Sequence, residues 1–287
     1  SGKSGKVIGV DMTDEQLDVA NRNISYHISV FPDSSPVEFK KGLIEDLKTA
    51  GITDKSVDVV ISNCVINLSS DKQKVFNEIY RVLKEGGEVH ISDIFTNQPL
   101  GQAARENKML VGECMGNAID IQTFLSLMKN AGFSKIYPVE ARYVPTPGVP
   151  PEIIDPSVNF FSVTFSSFKI ENCQTKKEEW KGDFVKYVGG VDHCEDELVF
   201  DLTHTFRKGE KVFVGSLLSE TLQKSRYGSH FEFGNDKEFP SRVDEKSFEQ
   251  TVLDTKNVEN TTNNSGGCCS SSCCCCCNNN WNNLDYD

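Results

Sequence analysis

The sequence predicts an open α/β sheet, parallel and wound with helices, followed by a smaller strand-rich unit and a low-complexity tail. Three observations carry that expectation. Short apolar runs alternate with helical periodicity through the first 145 residues. A proline-rich stretch at 145–156 then gives way to short, closely spaced strand patterns. Beyond about residue 235 charge density rises and apolar periodicity fades. The expected divisions are therefore a sheet core at 1–145, a small α+β unit at 146–234, and a disordered Asn/Ser/Cys-rich tail at 235–287.

Taken in order, Lys6-Val7-Ile8-Gly9-Val10-Asp11 is an apolar strand that ends in a carboxylate. Thr13 and Gln16 have capping-box spacing, and Leu17, Ala20, Ile24 and Ile28 recur on one helical face. Val37-Glu38-Phe39 reads as a short strand and Val57-Asp58-Val59-Val60-Ile61-Ser62 as one buried on both faces. Ser70 and Gln73 make a second capping box, Val75, Phe76, Ile79, Val82 and Leu83 an apolar stripe, and Gly86-Gly87 a helix stop. A strand at 89–95, helices at 103–115 and 121–131, and a strand at 136–144 complete the core. Strands at 160–170, 184–188, 197–206 and 211–214 and a helix at 217–226 are assigned to the second unit. No packed structure is expected after residue 235.

With 30 basic and 42 acidic residues the net charge is -12, a field that repels nucleic-acid phosphates and anionic lipid surfaces. No apolar run approaches the roughly 20 residues that span a bilayer, and no leader pattern opens the chain, so a cytoplasmic protein without nucleic-acid or membrane partners is expected. Seven of the eleven cysteines lie beyond residue 267; Cys64, Cys114, Cys173 and Cys194 alone occupy the body, too few and too scattered for a disulfide framework.

Two of those thiols have unusual settings. Cys64 follows a strand directly, where open α/β sheets bind ligands, and Cys114 lies in Gly112-Glu113-Cys114-Met115-Gly116. Together they suggest a soft, thiophilic substrate; from spacing alone, two small packing residues are an equally open reading. Asp11 at a strand end suits the two hydroxyls of an adenosine ribose, or else turns the following helix. Met12 and Leu43-Ile44-Glu45-Asp46-Leu47 supply apolar and acidic groups for the same pocket. His193 beside Cys194 lacks the further ligands of a zinc site, and Cys268-Cys269 and the run from Cys273 to Cys277 lack zinc spacing.

The passage Leu83-Lys84-Glu85-Gly86-Gly87-Glu88-Val89-His90-Ile91-Ser92-Asp93 resembles the helix-glycine-strand passage of Rossmann-like class I S-adenosylmethionine methyltransferases. Joined in order by Gly9-Val10-Asp11-Met12, Ile44-Glu45, Ser62-Asn63-Cys64-Val65-Ile66-Asn67-Leu68, the Cys114 motif, Gly189-Gly190 and Leu222-Gln223-Lys224-Ser225-Arg226, it resembles the arsenite methyltransferases. The resemblance implies methyl transfer from S-adenosylmethionine to thiol-bound trivalent arsenic, giving methyl- and dimethylarsenicals. Cys64 and Cys114 would hold the arsenic; Asp11, Met12, Ile44, Glu45 and Asn63 would line the cofactor; a reduced thiol such as glutathione or thioredoxin would be the reductant. Family members also carry a first strand and a glycine-rich loop ahead of the strand that ends in Asp11, so an incomplete, weakly active form is expected. The alternatives are a methyltransferase with another small acceptor and a non-enzymatic arsenic- or metal-binding thiol protein.

Overall fold

Strand β1 (Val7–Asp11), helix α1 (Asp14–Val30) and strand β2 (Val37–Lys41) form the opening βαβ unit, and the two strands pair in parallel. The computed structural model describes residues 4–145, 148–174, 176–239 and 246–262. The expectations for the rest of the tail, its cysteine runs included, lie outside the described residues.

Next come β3 (Val57–Asn63), α2 (Lys72–Val82) and the long β4 (Leu83–Thr96). Two short helices, α3 (Gln102–Glu106) and α4 (Lys108–Gly112), precede β5 (Ile119–Asp120), α5 (Ile121–Ala131), β6 (Ile136–Val144) and β7 (Phe160–Phe168). The main sheet runs β3-β4-β7-β6, with β5 alongside β4. β3 and β4 are parallel, whereas β7 is antiparallel to both its neighbours. A parallel sheet carrying an inserted antiparallel strand is the Rossmann-like class I methyltransferase architecture. Its core lies between the sheet and α2 and α5, where Phe76, Phe95, Phe124 and Phe165 meet through tilted and edge contacts.

The second unit comprises β8 (Asp183–Tyr187), the hairpin of β9 (Glu197–Val199) and β10 (Thr205–Arg207), β11 (Lys211–Phe213), α6 (Ser216–Lys224) and β12 (Phe231–Asn235). β8 lies between β11 and β12 in an antiparallel sheet. Its core reaches across to Tyr137 of β6, whose hydroxyl donates to Thr221 Oγ1 at 3.0 Å. A final helix, α7 (Phe248–Thr262), returns to the main sheet, with Val252 fully buried and the Phe248 ring against Phe124 and Phe165.

Several expectations are corrected. Neither capping box forms: Thr13 Oγ1 donates to Asp11 instead of capping α1, and Asp71, not Ser70, caps α2 by accepting from the Lys74 N–H at 3.1 Å. α2 stops at Val82, and Gly86-Gly87 lie within β4. Gly86 has φ of 75°, and a Cβ there would stand 2.2 Å from the Lys224 carbonyl oxygen. That glycine serves the approach of the second unit. The helix expected at 103–115 breaks at Asn107, whose side chain accepts from the Leu110 N–H and starts a new helix. The strand expected at 197–206 is a hairpin, turned by Asp201, which accepts from the N–H groups of Thr203 and His204. β7, assigned above to the second unit, is a central strand of the main sheet.

The expected disorder from residue 235 gives way to the end of β12 and to α7, because Phe248 and Val252 supply a short apolar stripe for the sheet. β3 is not buried on both faces either. Val57 and Val60 pack inward, but Val59 is 42% and Ile61 79% exposed. Among the described residues β1 pairs with β2 alone and β3 with β4 alone, so one edge of β3 carries no paired strand.

Candidate active site

Asp11 ends β1, Asn63 ends β3, and Cys64 follows Asn63 directly. After Asn63 the chain leaves the sheet: the Cys64 N–H donates to the Ser92 carbonyl at 2.9 Å, and Cys64 then adopts φ of 53°. Left-handed backbone costs a side-chain-bearing residue roughly 1–2 kcal/mol, so the turn is held by what surrounds it. The Cys64 thiol points to Asn63 Oδ1 at 3.2 Å.

Cys114 arrives by a different device with the same backbone outcome. It sits two residues past α4 with φ of 60°. Its N–H donates to the Val111 carbonyl at 3.1 Å, and the Met115 N–H donates to the Leu110 carbonyl at 2.8 Å. This is a Schellman cap with cysteine at the left-handed position that glycine usually takes, and Leu110 and Met115 make the accompanying apolar contact. A Cβ on Gly116 would stand 2.8 Å from the Val111 nitrogen, which explains that glycine; around Gly112 there is open space. The Cys114 thiol donates to the Cys64 carbonyl at 3.4 Å. The two cysteines, 50 residues apart in sequence, therefore meet at one place, and both are half-buried.

At the end of β1, Asp11 Oδ1 accepts from the Thr13 N–H at 2.8 Å and the Thr13 hydroxyl at 2.7 Å. These bonds hold its carboxyl below the usual range, so it is a carboxylate at neutral pH. Asp11 thus turns the chain from β1 into α1, the second of the two readings offered for it. Met12 is 63% exposed, an uncovered apolar surface beside that carboxylate. Ile44 packs on the edge of the main core, and Glu45 Oε1 accepts from the Ser69 hydroxyl at 2.5 Å. Asn63 is exposed at the strand end, its amide oxygen toward Cys64.

Sequence reasoning missed the polar cluster underneath. Asp93, 3% exposed, accepts from the Asn67 N–H, the Asn67 amide at 2.7 Å and the Ile94 N–H at 2.8 Å. Asn67, 2% exposed, also donates to the Ile94 carbonyl, and Lys72 Nζ donates to the carbonyls of Asn67 and Ser69. Burial pushes the Lys72 ammonium down and the Asp93 carboxyl up to about 6. The available signal was an acid at the end of an apolar strand, a position that a ligand or a buried donor must satisfy.

The other thiols lie elsewhere. Cys173 is in the core of the second unit, where burial raises its thiol pKa, and the Cys194 carbonyl accepts from the Tyr187 hydroxyl. His193 is exposed, and among the described residues no cluster of three or more His, Cys, Asp or Glu side chains is arranged to hold a metal. No helix among the described residues is long and apolar enough to cross a membrane.

A methyltransferase-domain family model matches residues 1–132, and the arsenite methyltransferase C-terminal domain model matches residues 181–276. The solved structure of an arsenic(III) S-adenosylmethionine methyltransferase from Chlamydomonas reinhardtii superposes with a TM-score of 0.76 at 32% identity, over 84% of this chain and 81% of that one. The chain belongs to the arsenite methyltransferase family. The mouse arsenite methyltransferase is 38% identical over 233 residues, 81% of this chain and 61% of its own length. The human one is 39% identical over 231 residues, 80% and 60% respectively. The one from Aquipseudomonas alcaligenes is 37% identical over 242 residues, 82% and 67%. The chain thus spans about 60% of the length of its mammalian relatives in the family.

Proposed function

We propose that this chain transfers methyl groups from S-adenosylmethionine to trivalent arsenic held by Cys64 and Cys114. The observation that carries the reading is that the half-buried Cys114 thiol reaches the backbone carbonyl of the half-buried Cys64, on an unrelated turn, at the carboxyl end of β3. Arsenic(III) is soft and binds thiolates in a pyramid whose lone pair faces outward. Two thiols displace two hydroxyls of arsenous acid as water, with their protons, and leave the third hydroxyl on the arsenic. S-adenosylmethionine, when bound, supplies a methyl group on a positively charged sulfur. The acceptor's lone pair would form the new arsenic–carbon bond as the methyl–sulfur bond breaks and its electron pair leaves on a neutral thioether sulfur, so no proton leaves the attacking atom and no general base is needed. The protein's part is placement, worth roughly 7–11 kcal/mol where two reactants are held in line. Methylation leaves the arsenic two electrons more oxidised; two thiols that close to a disulfide restore the trivalent state. On this reading Cys64 and Cys114 supply those two thiols, and an external thiol such as glutathione or thioredoxin would reopen them. On this reading the product is a methyl- or dimethylarsenical and the role is arsenic detoxification in the cytoplasm.

The test is calorimetric titration of the full chain with arsenite and, separately, with S-adenosylmethionine, comparing Cys64→Ser and Cys114→Ser with the unmodified protein. Loss of either thiol should weaken arsenite binding about 100-fold or more, as for any two-point attachment reduced to one, and leave S-adenosylmethionine binding unchanged. Arsenite binding that survives both substitutions would sink the assignment.

A further inference from the structure

We propose that Asp93, acting through Asn67, is a positioning residue that fixes the bite between Cys64 and Cys114. The inference rests on reading those two sulfurs as the arsenic site. Cys64 sits in left-handed backbone between the end of β3 and the 3-10 turn Ile66–Leu68, and nothing in its own sequence favours that conformation. Three residues on, Asn67 is fastened at its backbone N–H to Asp93 Oδ2 at 3.2 Å and at its side chain to Asp93 Oδ1 and the Ile94 carbonyl, both 2.7 Å. Lys72 grips the same turn from above through the Asn67 and Ser69 carbonyls. The turn that carries Cys64 is therefore pinned to β4, the strand whose Ser92 carbonyl also receives the Cys64 N–H.

A carboxylate suits this place for a geometric reason. Asp93 faces three N–H donors: the Asn67 backbone, the Asn67 amide and the Ile94 backbone. A carboxylate accepts all three, whereas an amide would turn a donor against at least one. A buried acid is a poor choice for stability alone, and its retention here is explained by the register it gives the turn.

The experiment measures the bite without arsenic. The full chain is treated with dibromobimane, which bridges two neighbouring thiols, and in parallel with monobromobimane, which alkylates one. Peptide mass mapping gives the rate of Cys64–Cys114 bridging relative to single alkylation at Cys64. Asn67→Ala and Asp93→Asn should each lower that ratio by about tenfold or more, since a displacement near 1 Å can alter such geometry-dependent rates by two orders of magnitude. Val252→Ala, which weakens the far side of the core, should leave it unchanged. An unaltered ratio in the folded Asn67 and Asp93 variants overturns the proposal, as does an equal fall in Val252→Ala, which would mean general loosening. Should Asn67→Ala not fold, Asp93→Asn, which keeps shape and volume, decides alone. Failure of the unmodified chain to bind arsenite would count against the proposed function, while the bridging ratio would still decide the role of Asp93.

Discussion

At the residue scale the buried acid ties pH to stability. Asp93 ionises near 3.8 when solvated and at about 6 in the fold, because burial disfavours its charged form. Between those values the folded protein holds the proton more tightly than the unfolded chain. The stabilisation from this group is full below pH 3.8, falls as pH rises, and is gone above about 6, a change of about 3 kcal/mol at ~1.4 kcal/mol per unit. Asp93→Asn removes the titration. Denaturant unfolding at pH 4 and pH 7 should show the unmodified protein losing about that much stability relative to the variant; parallel losses would refute the assignment. At this scale the sequence revealed what has a chemical signature, the sulfurs of Cys64 and Cys114 and the acid of Asp11. It hid what depends on neighbours: that Glu45 meets Ser69, that Asn63 faces a thiol, and that Asp93 has three donors around it.

At the element scale most strands and helices were legible from periodicity, and the misses share a cause. Asp71, Asn107 and Asp201 each redirected the chain through a side-chain acceptor, a local competition that apolar spacing does not register. β7 was misplaced because an alternating strand looks alike in either sheet; its address is set by pairing with β4 and β6. α7 escaped notice because two apolar residues in a polar stretch make a faint stripe, yet Val252 is fully buried. Val252→Ala should cost about 2 kcal/mol, measured by chemical denaturation, from lost burial and the cavity left behind. No change would mean that the helix does not dock.

At the scale of the whole molecule, the bond from the Cys114 thiol to the Cys64 carbonyl brings both cysteine turns to the carboxyl end of β3, but the turns rest on different foundations. Ile66, beside Cys64, belongs to the core shared by α2, α5 and the sheet, whereas Leu110 and Met115, on either side of Cys114, belong to a separate cluster with Ile94, Leu100 and Ile154. A metalloid bonded to both sulfurs therefore links the two clusters at a further place, beyond the strands β4 and β7 that already join them through Ile94 and Phe95 and through Phe160 and Phe161. Arsenite at 100 times its dissociation constant should stabilise the fold by about 2.7 kcal/mol and raise the melting temperature, an effect that Cys64→Ser and Cys114→Ser should abolish in thermal unfolding. The substrate would then act as a removable cross-link: when the two thiolates leave the methylated arsenic together as a disulfide, the link passes to the sulfur–sulfur bond, and reduction by an external thiol unfastens the two turns.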